Sequence, residues 1–250
     1  MKPNPVMDVG QVKEAHGDAY YTIYRHTLEQ APLEADLLIE SMGLAPGQKL
    51  LDVCCGFGRH AVEFARNGMN VVGVDISDIL LTKAVKHTDT NPTYVQMDAR
   101  EMSYEGEFDA VTIMLNSFGL LDDESNKQIL ERMVVALAPG GHIAIDLRNP
   151  IILANGKIYP PVVNINGVDV HTTSEYFPDQ NRVKANRWFM ADDKKRVYEF
   201  VARLYPLPEL SEMLMDHGVS IEKTFGDFSG NAYKAGSSPR LITIGKKDYK

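Results

Sequence analysis

The stretch Leu50-Leu51-Asp52-Val53-Cys54-Cys55-Gly56-Phe57-Gly58-Arg59-His60-Ala61 carries an apolar run into a glycine turn and then directly into a helix start. Gly56 and Gly58 let the backbone come close to a ligand with no Cβ in the way. The helix start presents N–H groups with no partner inside the helix. The Gly-x-Gly-x-x-Ala spacing alone also fits dinucleotide binders. Two carboxylates narrow the choice. Asp75 ends Val72-Gly73-Val74-Asp75-Ile76-Ser77 and can accept both hydroxyls of a ribose, which are donors. Asp98 ends Gln96-Met97-Asp98-Ala99-Arg100 and can accept from an adenine amino group. Leu115-Asn116-Ser117-Phe118-Gly119 can offer carbonyls and an amide at the mouth of the same cleft.

These groups meet only if each stands at the carboxyl end of a strand, where ligands of open α/β sheets bind. The pattern from Lys49 onward supplies that. Strands are predicted over 50–53, 70–74, 93–97, 108–115 and 142–147, with helices over 58–67, 77–87 and 123–137. Gly68 stops the first helix, Ser77 caps the second and Pro139-Gly140-Gly141 closes the third. Continuous apolar strands alternating with helices imply a parallel sheet covered on both faces. Ahead of it, a tyrosine-rich helix is predicted over 15–30, and a second starts at Pro32 and ends near Gly43. Segment 151–205 breaks the rhythm. Its β segments 162–176, 182–190 and 196–205 are joined by the turns Pro178-Asp179-Gln180-Asn181 and Ala191-Asp192-Asp193-Lys194, so they pair antiparallel. A helix over 207–217 and strands over 219–225 and 239–246 follow, the two strands antiparallel because no helix separates them.

With these pieces in place the sequence resembles the class I S-adenosylmethionine-dependent methyltransferases. The matching elements are the glycine motif from Asp52 to Gly58, Asp75, Asp98, Asn116-Ser117, the Pro139-Gly140-Gly141 turn and the reversed last strand, covering roughly 44–147 plus the C-terminal strands. More narrowly, the chain looks like a bacterial small-molecule subgroup with a β insertion before the last helix. The pieces that match it are Cys55-Gly56-Phe57-Gly58-Arg59-His60, Arg203-Leu204-Tyr205, Pro208-Glu209-Leu210, Gly226-Asp227-Phe228-Ser229-Gly230 and Ser238-Pro239-Arg240-Leu241-Ile242. The resemblance implies an α/β fold: a Rossmann-like seven-stranded sheet with an antiparallel last strand, an N-terminal helical lid (1–43) and an inserted antiparallel β-ribbon (151–205) that serves as a lid or a dimerisation segment. Segments 44–150 and 206–250 then form the cofactor-binding domain. The cofactor implied is S-adenosylmethionine, its product S-adenosylhomocysteine. Gly56 and Gly58 would pass under the methionine part, Asp52 would hold its amino group, Asp75 the ribose, Asp98 the adenine, and Ile76 would pack on the purine.

The remaining cofactor contacts expected are Tyr20, Tyr21, Arg59, Ala99, Leu115 and Asn116. Arg148, Asn149, Asp227, Asn231 and Arg240 are candidates for the acceptor, because both groups fall at the ligand edge. The alternative for Arg240 is a simple pair with Asp227. Tyr176, His171 and Asn116 are the catalytic candidates, with His26 and Asp146 as further bases. Methyl transfer needs an in-line lone pair more than strong acid–base chemistry. His60 fits the scaffold and the site equally. Cys54 and Cys55 read as small residues packed behind the loop.

Composition sets outer bounds. The chain has 250 residues, 44% hydrophobic and 24% charged, with a net charge of -8 and two adjacent cysteines. That charge disfavours nucleic acid. No apolar run approaches the ~20 residues of a membrane span, no metal-ligand spacing occurs, and the N-terminus does not read as a signal peptide. The expectation is a cytoplasmic enzyme, monomer or homodimer, acting on a small-molecule nitrogen or oxygen. The rivals are an S-adenosylmethionine-consuming cyclase or lyase, a nicotinamide-dependent oxidoreductase and a non-catalytic cofactor sensor.

Overall fold

The computed structural model describes residues 6–87, 89–90, 92–154 and 160–249. The chain opens with helices α1 (Val9–Ala15), α2 (Asp18–Tyr24) and α3 (Ala31–Met42), a 3-10 turn at Arg25–Glu29 joining the last two. The strand–helix alternation follows as β1 (Lys49–Val53), α4 (Arg59–Arg66), β2 (Asn70–Asp75), α5 (Asp78–His87), β3 (Thr93–Gln96), β4 (Phe108–Ile113), α6 (Asp123–Ala136) and β5 (Leu137–Arg148). After α7 (Pro150–Ala154) come β6 (Val162–Ile165), β7 (Val168–Phe177), β8 (Arg182–Ala191) and β9 (Lys194–Arg203). The chain closes with α8 (Leu207–Met215), β10 (Val219–Phe225) and β11 (Arg240–Lys247).

Seven strands form one sheet in the order β10-β11-β5-β4-β1-β2-β3, and β6 to β9 form a separate four-stranded meander. β1 pairs parallel with β2 and β4, and β4 with β5, whereas β11 runs antiparallel to both of its neighbours, β5 and β10. The predicted reversed last strand is therefore present. Leu51, Val111 and Ile143 are buried on one face and Leu50, Ala110 and Ala144 on the other, so the central strands are sheathed on both faces. The carboxyl ends of β1, β2, β4 and β5 line up because their registers match residue for residue: Val53 lies beside Val74 and Ile113, and Ile113 beside Ile145.

Several predicted bounds change. The helix expected over 15–30 is three pieces. Asp8 and Gln11 form a capping box that starts α1 well before residue 15. His16 ends that helix, and Gly17 turns the chain before α2. The β segment 162–176 is two strands, because Asn166 and Gly167 take φ of 51° and 81°, the left-handed pair that a two-residue hairpin turn requires. Strand β5 begins at Leu137, with Pro139-Gly140-Gly141 inside an irregular start where its register against β4 shifts.

The small sheet is fastened over the cleft end of the large one. Arg182 donates to the Leu121 carbonyl (3.0 Å) and to Asp123 (2.6 Å), and the Arg203 N–H donates to the Gly119 carbonyl (2.7 Å). These bonds bring Tyr198 and Phe200 of β9 against the carboxyl ends of β4 and β5. Among the described residues no helix is long and apolar enough to cross a membrane.

Candidate active site

Asp75 ends β2 buried, and its two carboxylate oxygens accept from the N–H groups of Gly56 and Ser77, both at 2.8 Å. Each oxygen has a second lone pair left for a diol. Burial raises the Asp75 carboxyl above its ordinary value, and these N–H groups work against the rise. Asp75, Ile76, Asp98 and Ala99 line one cavity of about 680 Å³. Asp98 caps the short turn Ala99–Glu101 and is held by Arg100, whose Nη2 donates at 2.7 Å. Burial pushes the Asp98 carboxyl up, but the Arg100 bonds together hold it below the usual carboxylate range.

A second cavity, of about 310 Å³, lies on the other side of Gly56. Asp52 faces it from the end of β1. One Asp52 oxygen accepts from the Thr112 hydroxyl (2.9 Å), and the other is buried with no partner among the described residues. Burial pushes this carboxyl up to about 7. An unpaired buried carboxylate oxygen at that place fits a cationic amine. The geometry therefore meets the needs of S-adenosylmethionine at three points: amine, ribose diol and adenine amine.

The Asp52 proton gives a linkage prediction. Unfolded, an aspartate ionises near ~3.9, whereas folded Asp52 keeps its proton to about 7. Its contribution to stability is thus full at acid pH and lost as pH rises toward 7. A bound ammonium reverses the preference, so cofactor binding at pH 6.5 should expel a proton and tighten from pH 6 to 8. Titration calorimetry of S-adenosylhomocysteine in two buffers of different ionisation enthalpy reads this directly. A buffer-independent heat, or the same heat in Asp52→Asn, would refute it.

The third cavity, about 440 Å³, includes His16, Tyr24, Asn116, Arg148, Tyr198 and Arg240 in its wall. Tyr20 and Ser117 line all three cavities, so the three are arms of one cleft that meet at those side chains. The junction is strained: Leu115 and Asn116 have φ of 56° and 62°, a region costly for non-glycine residues. Asp146 holds them there. Its carboxylate accepts from the Leu115 N–H and its carbonyl from the Asn116 N–H, both at 2.9 Å. Asp146 is itself fully buried and paired in bidentate fashion with Arg240.

Of the cofactor candidates, Tyr20, Asp52, Gly56, Asp75, Ile76, Asp98, Ala99, Leu115 and Asn116 line the cleft. Tyr21 does not join them. It packs edge-on against Phe57 under Lys83, because α2 turns Tyr20 and Tyr24 to the cleft and Tyr21 away from it. Gly58 also has a different reason from the one expected. A Cβ there would stand 2.4 Å from the Tyr94 hydroxyl and 2.9 Å from Ala84, so Gly58 serves close packing beneath the loop rather than ligand approach. Arg59 borders the Asp52 cavity, but its guanidinium is committed to Glu34 (2.6 Å) and the Thr27 carbonyl (3.1 Å). His60 donates to the same Glu34 oxygen (2.7 Å), and burial followed by the Arg59 charge lowers it to about 4. His60 is thus a neutral strut. Cys54 and Cys55 are thiols pushed up by burial.

Glu34 joins α3 to α4 through two buried partners. Replacing it with Ala leaves the Arg59 charge with only a carbonyl, which should cost roughly 3–5 kcal/mol and lower Tm by about 10 °C. A melting point within about 2 °C of the parent would show that the ion pair contributes little.

The acceptor and catalytic candidates fare less evenly. Arg148 and Arg240 line the third cavity. Asn149 is fully buried, donating to the Ala235 and Ser238 carbonyls at 2.8 and 2.7 Å, so it braces the loop before β11. Asp227 and Asn231 hydrogen-bond one another at 3.0 and 3.2 Å outside the cleft. Arg240 pairs with Asp146, not Asp227, which also removes Asp146 as a base. His171 stacks on Trp188 with ring centroids 4.0 Å apart, and Tyr176 donates to Asn181 at 2.8 Å; neither lines the three arms. Asn116 does line the third, with its carbonyl oxygen accepting from the Arg148 N–H (2.9 Å). His26 faces a wider outer cavity that Arg148 and Arg240 also border.

His16 is the residue the sequence reading missed. It borders both the 680 and the 440 Å³ arms. Nδ1 donates to the Val12 carbonyl (2.7 Å), which leaves the lone pair on Nε2, 3.4 Å from the Tyr198 hydroxyl. The Ser77 hydroxyl donates to the His16 carbonyl (2.5 Å), tying this segment to the strand end that carries Asp75. No motif marks it; the one available signal was a histidine beside the helix-breaking Gly17.

Fold and cleft together define a Rossmann-like domain built to hold an adenosine bearing an amino-acid tail. A methyltransferase-domain family profile matches residues 50–141. An uncharacterized methyltransferase of Synechocystis sp. is 35% identical over 136 residues, 53% of this chain and 61% of that protein, so the chain spans about three fifths of that relative. Among solved structures, an S-adenosylmethionine-dependent methyltransferase from Clostridium acetobutylicum superposes with a TM-score of 0.77 at 17% identity, covering 92% of this chain and 98% of that one. An amino pentose methyltransferase from Micromonospora echinaspora, solved with S-adenosylmethionine bound, gives 0.61 at 17% identity over 99% and 100%. These two are likenesses of fold. The chain thus carries a methyltransferase domain over residues 50–141, on the fold of S-adenosylmethionine-dependent methyltransferases, and its cleft fits that cofactor.

Proposed function

We propose that the protein methylates a nitrogen or oxygen of a small molecule seated in the 440 Å³ arm beside His16 and Tyr198. The observation that carries this is the meeting of all three arms at Tyr20 and Ser117. A cleft serving only a cofactor sensor needs two arms; the third gives a second molecule access to the junction between the adenosine and amino-acid ends. The amino pentose methyltransferase with the same fold is consistent with a small acceptor.

Bound in the cleft, the cofactor would supply an activated methyl group to the acceptor's lone pair, with the carbon–sulfur electron pair left on sulfur. The chain's own task is to position and to exclude water. Asp75 and Asp98 would hold one end of the cofactor and Asp52 the other. Burial lowers His16 below its ordinary value, so at neutral pH its Nε2 carries a lone pair able to take the acceptor's proton. Tyr198 holds that nitrogen in place. Burial raises the Tyr20 hydroxyl well above the ordinary tyrosine value, so it stays a neutral donor at the junction. On this reading 1–43 is a helical cap, 44–150 with 206–250 the cofactor domain, and 151–205 the roof of the acceptor arm.

Mass spectrometry of the spent cofactor tests the reading, after incubation with S-adenosylmethionine and a metabolite extract. S-adenosylhomocysteine together with a metabolite heavier by one methylene supports it. Methylthioadenosine above a no-enzyme control would mean that the sulfonium opens on its other side, as in a cyclase or lyase.

A further inference from the structure

We infer that the acceptor is an anion, carrying a carboxylate or phosphate that Arg148 and Arg240 hold; this rests on the 440 Å³ arm being the acceptor site. Arg148 ends β5 and Arg240 starts β11, and the two are direct cross-strand partners. Like charges directly opposite one another destabilise a sheet, so this placement has a cost. Asp146 offsets one of the two charges. It is fully buried, and its oxygens already serve the Arg240 guanidinium and the Leu115 N–H. It balances Arg240 and braces the strained junction, while the Arg148 and Arg240 side chains both line the arm.

A third guanidinium faces the same opening. Arg187 on β8 is only 6% exposed, lies over the Tyr24 ring at 5.2 Å, and borders the outer cavity together with Arg148 and Arg240. Two carboxylates, Glu29 and Glu34, also border that cavity. Glu34 is spent on Arg59 and His60, and Glu29 stands exposed at the rim. The same wall carries His26, whose Nδ1 is buried with no hydrogen-bond partner among the described residues. Three cations converge from two sheets on the path an acceptor must take. Guanidinium pairs suit carboxylate and phosphate by geometry as well as charge.

One arm of about 440 Å³ contains both His16 with Tyr198 and Arg148 with Arg240. The attacking atom and the anionic group therefore belong to one compact molecule. An amino acid, a hydroxy acid or a small phosphate ester fits; a neutral sugar or a long apolar chain does not.

The test passes a metabolite extract over a strong anion exchanger at pH 8. Each fraction is assayed for methyl transfer from labelled S-adenosylmethionine, and separately for what the S-adenosylhomocysteine-loaded protein retains in native mass spectrometry. Acceptor activity should bind the resin and elute with salt. Its loss on phosphatase treatment identifies a phosphate, its survival a carboxylate. Arg148→Gln should raise the acceptor KM about 10–100-fold while leaving the S-adenosylhomocysteine Kd within about twofold. Activity confined to the flow-through, or an unchanged KM in Arg148→Gln, overturns the anion site. A resin-bound metabolite retained by the loaded protein, but methylated in no fraction, overturns methyl transfer and leaves the anion site standing.

Discussion

Asp75→Ala should weaken S-adenosylhomocysteine binding by about 100-fold or more in a protein that still folds. The carboxylate already orders the loop by accepting the Gly56 and Ser77 N–H groups at 2.8 Å, which leaves lone pairs aimed at the cavity. Each hydrogen bond to a charged group contributes roughly 1.5–3 kcal/mol, and two ribose hydroxyls make about 3–6 kcal/mol, or some 10²–10⁴ in affinity. Asp75→Asn keeps one acceptor oxygen and should fall between Ala and the parent. Calorimetry with circular dichroism on the same samples decides it: an unchanged affinity in a folded Asp75→Ala protein would remove the ribose assignment.

The second large effect is on turnover. His16→Ala should reduce kcat by about 10²–10⁴, the usual range for a positioned general base, with cofactor affinity altered by only about threefold. Tyr198→Phe should cost about tenfold, since it removes the hydroxyl that steadies Nε2 at 3.4 Å. The pH profile separates this from a packing defect. Burial lowers His16, so with cofactor saturating, kcat should rise along an acid limb whose midpoint lies below the ordinary histidine value, and the limb should vanish in His16→Ala. The Asp52 limb, near 7, belongs to cofactor affinity instead. A His16→Ala enzyme with parental kcat and an unchanged acid limb would leave His16 without a catalytic part.

Residues whose roles depend on local backbone were readable in the sequence. The glycine turn after β1, the acids closing β2 and the Asp98 segment, and the Leu115-Asn116 turn all stand at strand ends, and parallel pairing carries strand ends to one edge whatever else the chain does. The antiparallel last strand was equally plain, because no helix separates it from β10. Gly58 shows the limit of such reading. Its type was informative, but what a side chain there would strike, the Tyr94 hydroxyl, is contributed by β3, 36 positions away.

Roles that depend on which long-range partner a side chain meets were not readable. Arg240 could pair with Asp227 nearby or with Asp146 across the sheet, and only the β5–β11 register places it on Asp146. Asn149 and Asn231 have the chemistry of ligand-binding residues, yet both are spent on loops. His171 and Tyr176 lie on the right segment; β7 turns one onto Trp188 and the other onto Asn181. His16 is the opposite case: nothing around it in the chain announces a function, and its place depends on Ser77 grasping its carbonyl and on Tyr198 arriving from a strand 182 positions on. The cofactor cleft was legible in the chain, because one sheet edge collects the groups that fit S-adenosylmethionine. The proposed acceptor arm was not legible in the chain, because its wall is assembled from the end of α1 and from α2, β5, β9 and β11, whose faces become neighbours only when the small sheet closes over the large one.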